Sequence, residues 1–287
     1  MTTRVGFVGL GTIGRPMALR LAATDGIELS VHDVAPEPVA ELEAAGARPA
    51  GSVDALDAEV VCVMVRDDDQ VREVAAAVGP GPVVVVHSTV APGTPAELAA
   101  SGLTVLDAPV SGGPTGAAEG TLAIMVGGDE AAYATARPAL EAMGSRVVHA
   151  GPLGAGTRMK LARNLIHFVA FTAVTEAQRL AEAAGLDLLE LGEVVRHTDA
   201  VTGGPGAIMH RDTTAPLAAD DFWYGVLDHV RALGEKDLGF AIELAADLGV
   251  DVPLAQLARD RLGPGLGLGP GPGHGPGHGP GLETGEQ

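Results

Sequence analysis

Residues 4–14, RVGFVGLGTIG, decide the fold. A short apolar run ends in Gly9, and Gly11 and Gly14 complete a G-x-G-x-x-G spacing. Helical spacing follows at once in RPMALRLAA, residues 15–23. Each glycine has its own physical task. Gly9 permits a tight turn, Gly11 lets the backbone approach a pyrophosphate, and Gly14 lets helix and strand pack closely. The phosphates then rest on the helix N-terminus. Such a spacing alone is weak evidence, but here strand, turn, helix and second strand fall in order. The turn Gly9, Leu10, Gly11, Thr12, Ile13 and Gly14 is therefore the expected dinucleotide cradle. The second strand, IELSVHD, ends in Asp33, 19 residues after Gly14. An acidic residue there hydrogen-bonds the ribose 2′-hydroxyl of NAD, and it would repel the 2′-phosphate of NADP. The alternative for Asp33 is an N-cap of the next helix.

Outward from this stretch, EPVAELEAAG reads as the second helix. EVVCVMV, PVVVVHS and LTVLDAP are valine-rich runs, as expected of parallel strands covered on both faces. TLAIMVGG and SRVVHAG extend the sheet. Strands alternating with helices predict a doubly wound, parallel α/β sheet of the Rossmann type. The pattern changes at Gly154. After Gly156 no glycine or proline interrupts the chain up to Ala184. That predicts roughly 45 Å of helix at 1.5 Å per residue. Only helical segments follow, so the second domain is expected to be all-α. The expected division is a Rossmann domain over 1–153, a helical substrate and oligomerisation domain over 154–262, and a tail over 263–287. The tail alternates glycine and proline, a composition that buries almost nothing and predicts disorder.

Composition narrows the function. The 287 residues carry a net charge of −19, and no basic stripe offsets it, so nucleic acid is not an expected partner. An anionic substrate needs a local positive site. No apolar run is long enough for a membrane span, and the opening residues do not resemble a signal peptide. Cys62 is the single cysteine, which excludes an internal disulfide framework and fits a cytoplasmic setting. No metal site is expected. Of 18 basic residues, only Lys160 and Lys236 are lysine. In an alanine-, glycine- and arginine-rich chain, a lysine stands out because it can give up a proton and arginine cannot.

Four segments carry a family resemblance: GFVGLGTIGRPMA, DAPVSGGPTGAAEGTLAIMVGG, GAGTRMKLARN and EKDLGFA. In this order they resemble the β-hydroxyacid dehydrogenases, typified by 3-hydroxyisobutyrate dehydrogenase, from about residue 4 to about residue 262. The resemblance implies hydride transfer between NAD and a small anionic 3-hydroxyacid. Lys160 matches the catalytic lysine, and Asn164 lies four residues on, on the same helix face. Ser111, Gly112 and Gly113 match a substrate-anchoring loop whose amides can face a carboxylate. A plain tight turn is the other reading of that loop. Thr89 and Val65 match cofactor contacts, and Lys236 matches a lysine reaching both cofactor and substrate. The family also implies a homodimer or homotetramer.

Some positions depart from the family. A small residue or proline is usual where Arg66 stands. His167 replaces an apolar residue seven positions after Lys160, and His229 stands where phenylalanine is common. Phe222, Trp223 and Tyr224 concentrate a scarce aromatic supply, either at the substrate pocket or at a subunit contact. Two rival readings are an imine reductase and a catalytically inactive nucleotide-binding protein. The first would generally lack Lys160 and favour NADPH. The second would be expected to lose the lysine or the serine–glycine loop.

Overall fold

A computed structural model describes residues 2–268. It divides into two compact units, one ending at Asn164 and the other beginning at Leu165. The first unit alternates strands and helices: β1 (Thr3–Val8), α1 (Gly14–Ala22), β2 (Ile27–His32), α2 (Pro36–Ala44), β3 (Arg48–Pro49), β4 (Val60–Val63), α3 (Asp68–Val78), β5 (Val83–Val86), α4 (Thr94–Ala100) and β6 (Thr104–Asp107). It continues with β7 (Val110–Ser111), α5 (Gly113–Glu119), β8 (Ala123–Gly127), α6 (Glu130–Met143), β9 (Arg146–Gly151) and the start of α7 (Ala155–Ala183).

The strand order β3-β2-β1-β4-β5-β6-β8-β7 reverses direction of travel at β1, with β9 also paired to β8. Pairing is parallel from β3 through β6. The sheet is not parallel throughout. β8 runs antiparallel to β6 and to the short β7, then pairs in parallel with β9.

The valine runs explain the two covered faces. In β4, Val60 and Cys62 join a core with Phe7, Met17, Leu21, Leu140 and Met143, while Val61 and Val63 join another with Val71, Leu98 and Val105. Period-2 alternation sends both sets into apolar cores because helices lie on each side. Cys62 is fully buried, and burial pushes its thiol up to about 12. It is thus a core residue and no nucleophile at neutral pH.

The second unit contains the rest of α7 with α8 (Leu188–Thr202), α9 (Phe222–Asp247) and α10 (Pro253–Gly265). Val252, at the N-cap of α10, offers no side-chain acceptor. Buried Glu176 of α7 supplies it instead, accepting from Leu254 N at 2.9 Å and Ala255 N at 3.0 Å.

The expected start of the tail needs correction. α10 runs on to Gly265, and Leu266 and Leu268 are buried with Leu227 against Trp223, Tyr224 and Leu262. Two leucines in GPGLGLG are enough to give this stretch a packing face. The rest of the expected tail, 269–287, lies outside the described residues. A chain ending at Gly265 is expected to be less stable than one ending at Leu268. Losing two buried leucines costs at most about 3–6 kcal/mol, at roughly 1.5–3 kcal/mol for each fully buried side chain. Urea midpoints of the two truncations measure this, and equal midpoints would contradict it.

Candidate active site

The glycine turn is built by close approach. A Cβ on Gly9, whose φ is +94°, would sit 2.3 Å from the Met64 carbonyl oxygen. One on Gly14 would sit 1.9 Å from the Gly9 carbonyl oxygen. A Cβ on Gly11 would meet nothing within 4 Å, so the middle glycine faces open space where a ligand's phosphates can approach. Gly11 and Thr12 are exposed, Leu10 is buried, and Ile13 is the N-cap of α1.

Asp33 ties this turn to the end of β2. Its Oδ2 accepts from Leu10 N at 2.5 Å and its Oδ1 from Ala35 N at 2.8 Å. The N-cap of α2 is Ala35, with no side-chain capping bond, so Asp33 does not cap that helix. Each carboxylate oxygen keeps a lone pair for a further donor. A cavity of about 550 Å³ opens here, lined by Gly9, Gly11, Asp33, Val65, Arg66 and Gln70 among others. Its size and glycine-lined wall fit the adenosine end of a dinucleotide.

Ser88 shapes the far wall. Its hydroxyl donates to Val65 O at 2.7 Å and accepts from Val65 N at 3.0 Å. Neighbouring Thr89 is exposed just past the C-terminal end of β5. His87 is buried beneath it, with Nδ1 2.9 Å from Ala108 O. Burial drives its pKa down to about 4, so the ring is neutral at physiological pH.

The second cluster is assembled by Asp107, at the end of β6. Its carboxylate is fully buried and accepts from Gly154 N at 2.7 Å and Thr157 N at 2.6 Å. An anion at the start of α7 satisfies exposed amides and complements the helix dipole. Gly156 leaves no room for a side chain, because a Cβ there would lie 2.2 Å from Met125 O. The opening of α7 is therefore pinned against β6 and β8.

This pinning places Lys160. The residue is 8% exposed, and its Nζ donates to Val110 O at 2.6 Å and Ser111 Oγ at 2.8 Å. Desolvation, then repulsion from Arg163, holds its pKa below the ordinary lysine value. Lys160, Ser111 and the adjoining Gly112 and Gly113 thus form one site within the first unit.

The other expected residues have these surroundings. The Asn164 amide oxygen accepts from Arg163 at 3.3 Å, and no hydrogen bond joins Asn164 to Lys160. Lys236 lies on α9, half-exposed and 3.2 Å from Asp237. His167 packs against Phe171, with ring centroids 4.2 Å apart. Trp223 and Tyr224 pack beside Leu266 and Leu268, Phe222 is 79% exposed, and His229 is exposed. Among the described residues, no helix is long and apolar enough to cross a membrane, and no cluster of three or more His, Cys, Asp or Glu could hold a metal.

The sequence reading missed three groups: Asp107, the Ser88 hydroxyl and the Val110 carbonyl. Each acts on a partner at least 23 residues away in the chain, so no local pattern announces it.

Two family descriptions match most of the chain. Residues 4–151 match the family described as the NAD binding domain of 6-phosphogluconate dehydrogenase. Residues 154–263 match that described as the NAD-binding domain of NADP-dependent 3-hydroxyisobutyrate dehydrogenase. A crystal structure of an oxidoreductase from Mycobacterium avium 104 is 47% identical, with a TM-score of 0.89, covering 93% of this chain and 99% of that one. The NAD-dependent L-serine dehydrogenase of Pseudomonas aeruginosa is 38% identical over 88% of this chain and 85% of its own length. The 3-hydroxyisobutyrate dehydrogenase of the same organism is 37% identical over 90% of both. With a glycine turn open at Gly11 and a buried lysine behind it in the chain, this protein belongs to the 3-hydroxyisobutyrate dehydrogenase family of NAD-binding oxidoreductases.

Proposed function

We propose that this enzyme interconverts a short 3-hydroxyacid and the corresponding semialdehyde, with NAD preferred over NADP and Lys160 exchanging the hydroxyl proton. The observation that carries this reading is the burial of the Lys160 amine against Val110 O and Ser111 Oγ. When bound, the nicotinamide supplies the site that takes up or returns the hydride. Lys160, when neutral, takes the proton from the substrate hydroxyl; as an ammonium, it returns that proton to the alkoxide during reduction. Desolvation and repulsion from Arg163 hold its pKa below the ordinary lysine value, which makes the neutral form easier to reach.

In this reading the Ser111-Gly112-Gly113 loop, next to the lysine, anchors the substrate carboxylate. The positive charge of Arg163 offers local attraction in a chain of net charge −19. Asn164 and Lys236 are proposed to help hold the substrate, and Val65, Thr89 and Lys236 the cofactor. L-serine and 3-hydroxyisobutyrate, named for two relatives, each carry a hydroxyl on the carbon two removed from a carboxylate. An imine reductase or an inactive binding protein would have no use for a buried lysine amine held against a serine hydroxyl.

We further propose that the enzyme assembles from two or more copies. In the second unit, Leu165, Phe168, Phe171 and Val174 are all exposed along α7. Such a row is the kind of apolar surface that a subunit contact covers.

The test is steady-state turnover with a panel of short 3-hydroxyacids and both cofactors. Turnover is expected with at least one acid, and kcat/KM is expected to favour NAD by tenfold or more, on the order of one charge-assisted hydrogen bond. No turnover across the panel would overturn the substrate class. Equal kcat/KM values, or preference for NADP, would overturn the role of Asp33.

A further inference from the structure

The amine of Lys160 donates to two acceptors held in place by the sheet. Its nitrogen is tetrahedral, with one corner bonded to Cε. Two more corners point their hydrogens at the Val110 carbonyl, 2.6 Å away, and at Ser111 Oγ, 2.8 Å away. Both acceptors belong to β7, which is fixed by pairing Val110 with Ile124 and Ser111 with Ala123 of β8. The remaining corner has no protein acceptor among the described residues.

In the ammonium form, the remaining corner holds the third hydrogen. In the neutral form only two hydrogens are left. A backbone carbonyl can only accept, so Val110 O keeps one of them. If Ser111 Oγ keeps the other, the lone pair must occupy the remaining corner. Proton and lone pair then share one direction, and no rotation of the amine separates the acid and base forms.

We propose that Ser111 is a positioning residue for Lys160: its hydroxyl, together with the Val110 carbonyl, locks the rotation of the amine so that the exchangeable proton always occupies one corner. The inference rests on the reading of Lys160 as the group that exchanges the proton. It assigns the Ser111 side chain to the lysine and leaves the substrate carboxylate to the backbone of the loop. Without the hydroxyl, only Val110 O would hold the amine, which could turn its lone pair away from the substrate. The expected loss is about tenfold, the equivalent of one hydrogen bond of roughly 1.4 kcal/mol.

Two measurements on the full chain test this. The first needs no substrate. The chain has two lysines, so ¹⁵N-lysine labelling gives two side-chain amine signals. The Lys160 signal is expected to exchange slowly with water in the parent, quickly in Ser111→Ala and slowly again in Ser111→Thr. Equal exchange in parent and Ser111→Ala overturns the proposal. The second is kinetic, with the fastest acid of the panel as probe. Ser111→Ala is expected to lose about tenfold in kcat with little change in KM, and Ser111→Thr to recover most of it. A rise in KM alone means that the hydroxyl binds substrate, and the inference fails. Lys160→Arg separates the two readings. If that variant turns over like the parent, the proton-transfer role is wrong and the inference falls with it. If it is slow while Ser111→Ala changes only KM, the inference fails alone.

Discussion

Lys160→Arg is expected to slow hydride transfer by about 10²–10⁴-fold, the usual contribution of a positioned general acid or base. The substitution keeps a positive charge beside Val110 and Ser111, so simple attraction of an anionic substrate survives. It removes proton exchange, because an arginine side chain has a pKa above about 12. NAD affinity is expected to be nearly unchanged, since the glycine turn and Asp33 contain no part of Lys160. Cofactor titration beside pre-steady-state kinetics separates the two effects. Lys236→Arg is expected to be much milder. That side chain is 54% exposed and paired with Asp237, so it lacks the burial that marks Lys160.

Asp107→Asn is the second large effect expected. The carboxylate lies at 0% exposure and accepts two backbone amides from the start of α7. An asparagine side chain offers one acceptor and turns an NH₂ group toward the other amide. One buried N–H is then left unsatisfied, and the charge facing the helix N-terminus is lost. The two effects together are expected to destabilise the first unit by about 2–4 kcal/mol. Thr157 lies one turn before Lys160, so kcat is expected to fall as well. The urea midpoint measures the stability change; a midpoint equal to that of the parent would show that Asp107 is not the clamp of α7.

How much of this was legible follows from the range of each interaction. The glycine turn could be read because Gly9, Gly11 and Gly14 lie within one short segment and each meets a local steric demand. The valine runs could be read because alternation in β4 and β5 serves two apolar faces. Lys160 stood out through scarcity, and its amine lies against Val110 O and Ser111 Oγ. The antiparallel direction of β8 was not legible. It depends on the meeting of Asp107 with Gly127, not on any pattern within AIMVG. The Asp107 clamp was hidden because its residue reads as the end of an apolar strand, while its partners lie 47 and 50 residues on. Leu266 and Leu268 were hidden by composition, since their glycine and proline neighbours read as unable to pack.

The division of the chain was legible only in outline. The expected change from alternating strands to helices falls at α7, which starts at Ala155. The compact units part further on, after Asn164, because the first turns of that helix are tied to β6 and β7 through Asp107, Val110 and Ser111. A helix that opens the second domain in sequence therefore carries its lysine into the first unit's site.

Lys160 is proposed to transfer the proton. The pH dependence of the single-turnover hydride step, followed in both directions, tests it most directly. Oxidation needs the neutral amine, so its rate is expected to rise with pH through a midpoint below that of an ordinary lysine and then to level off. Reduction needs the ammonium, so its rate is expected to fall with pH through the same midpoint. Both limbs are expected to vanish in Lys160→Arg. Rates that are independent of pH in the parent, or limbs that persist in Lys160→Arg, would contradict the account.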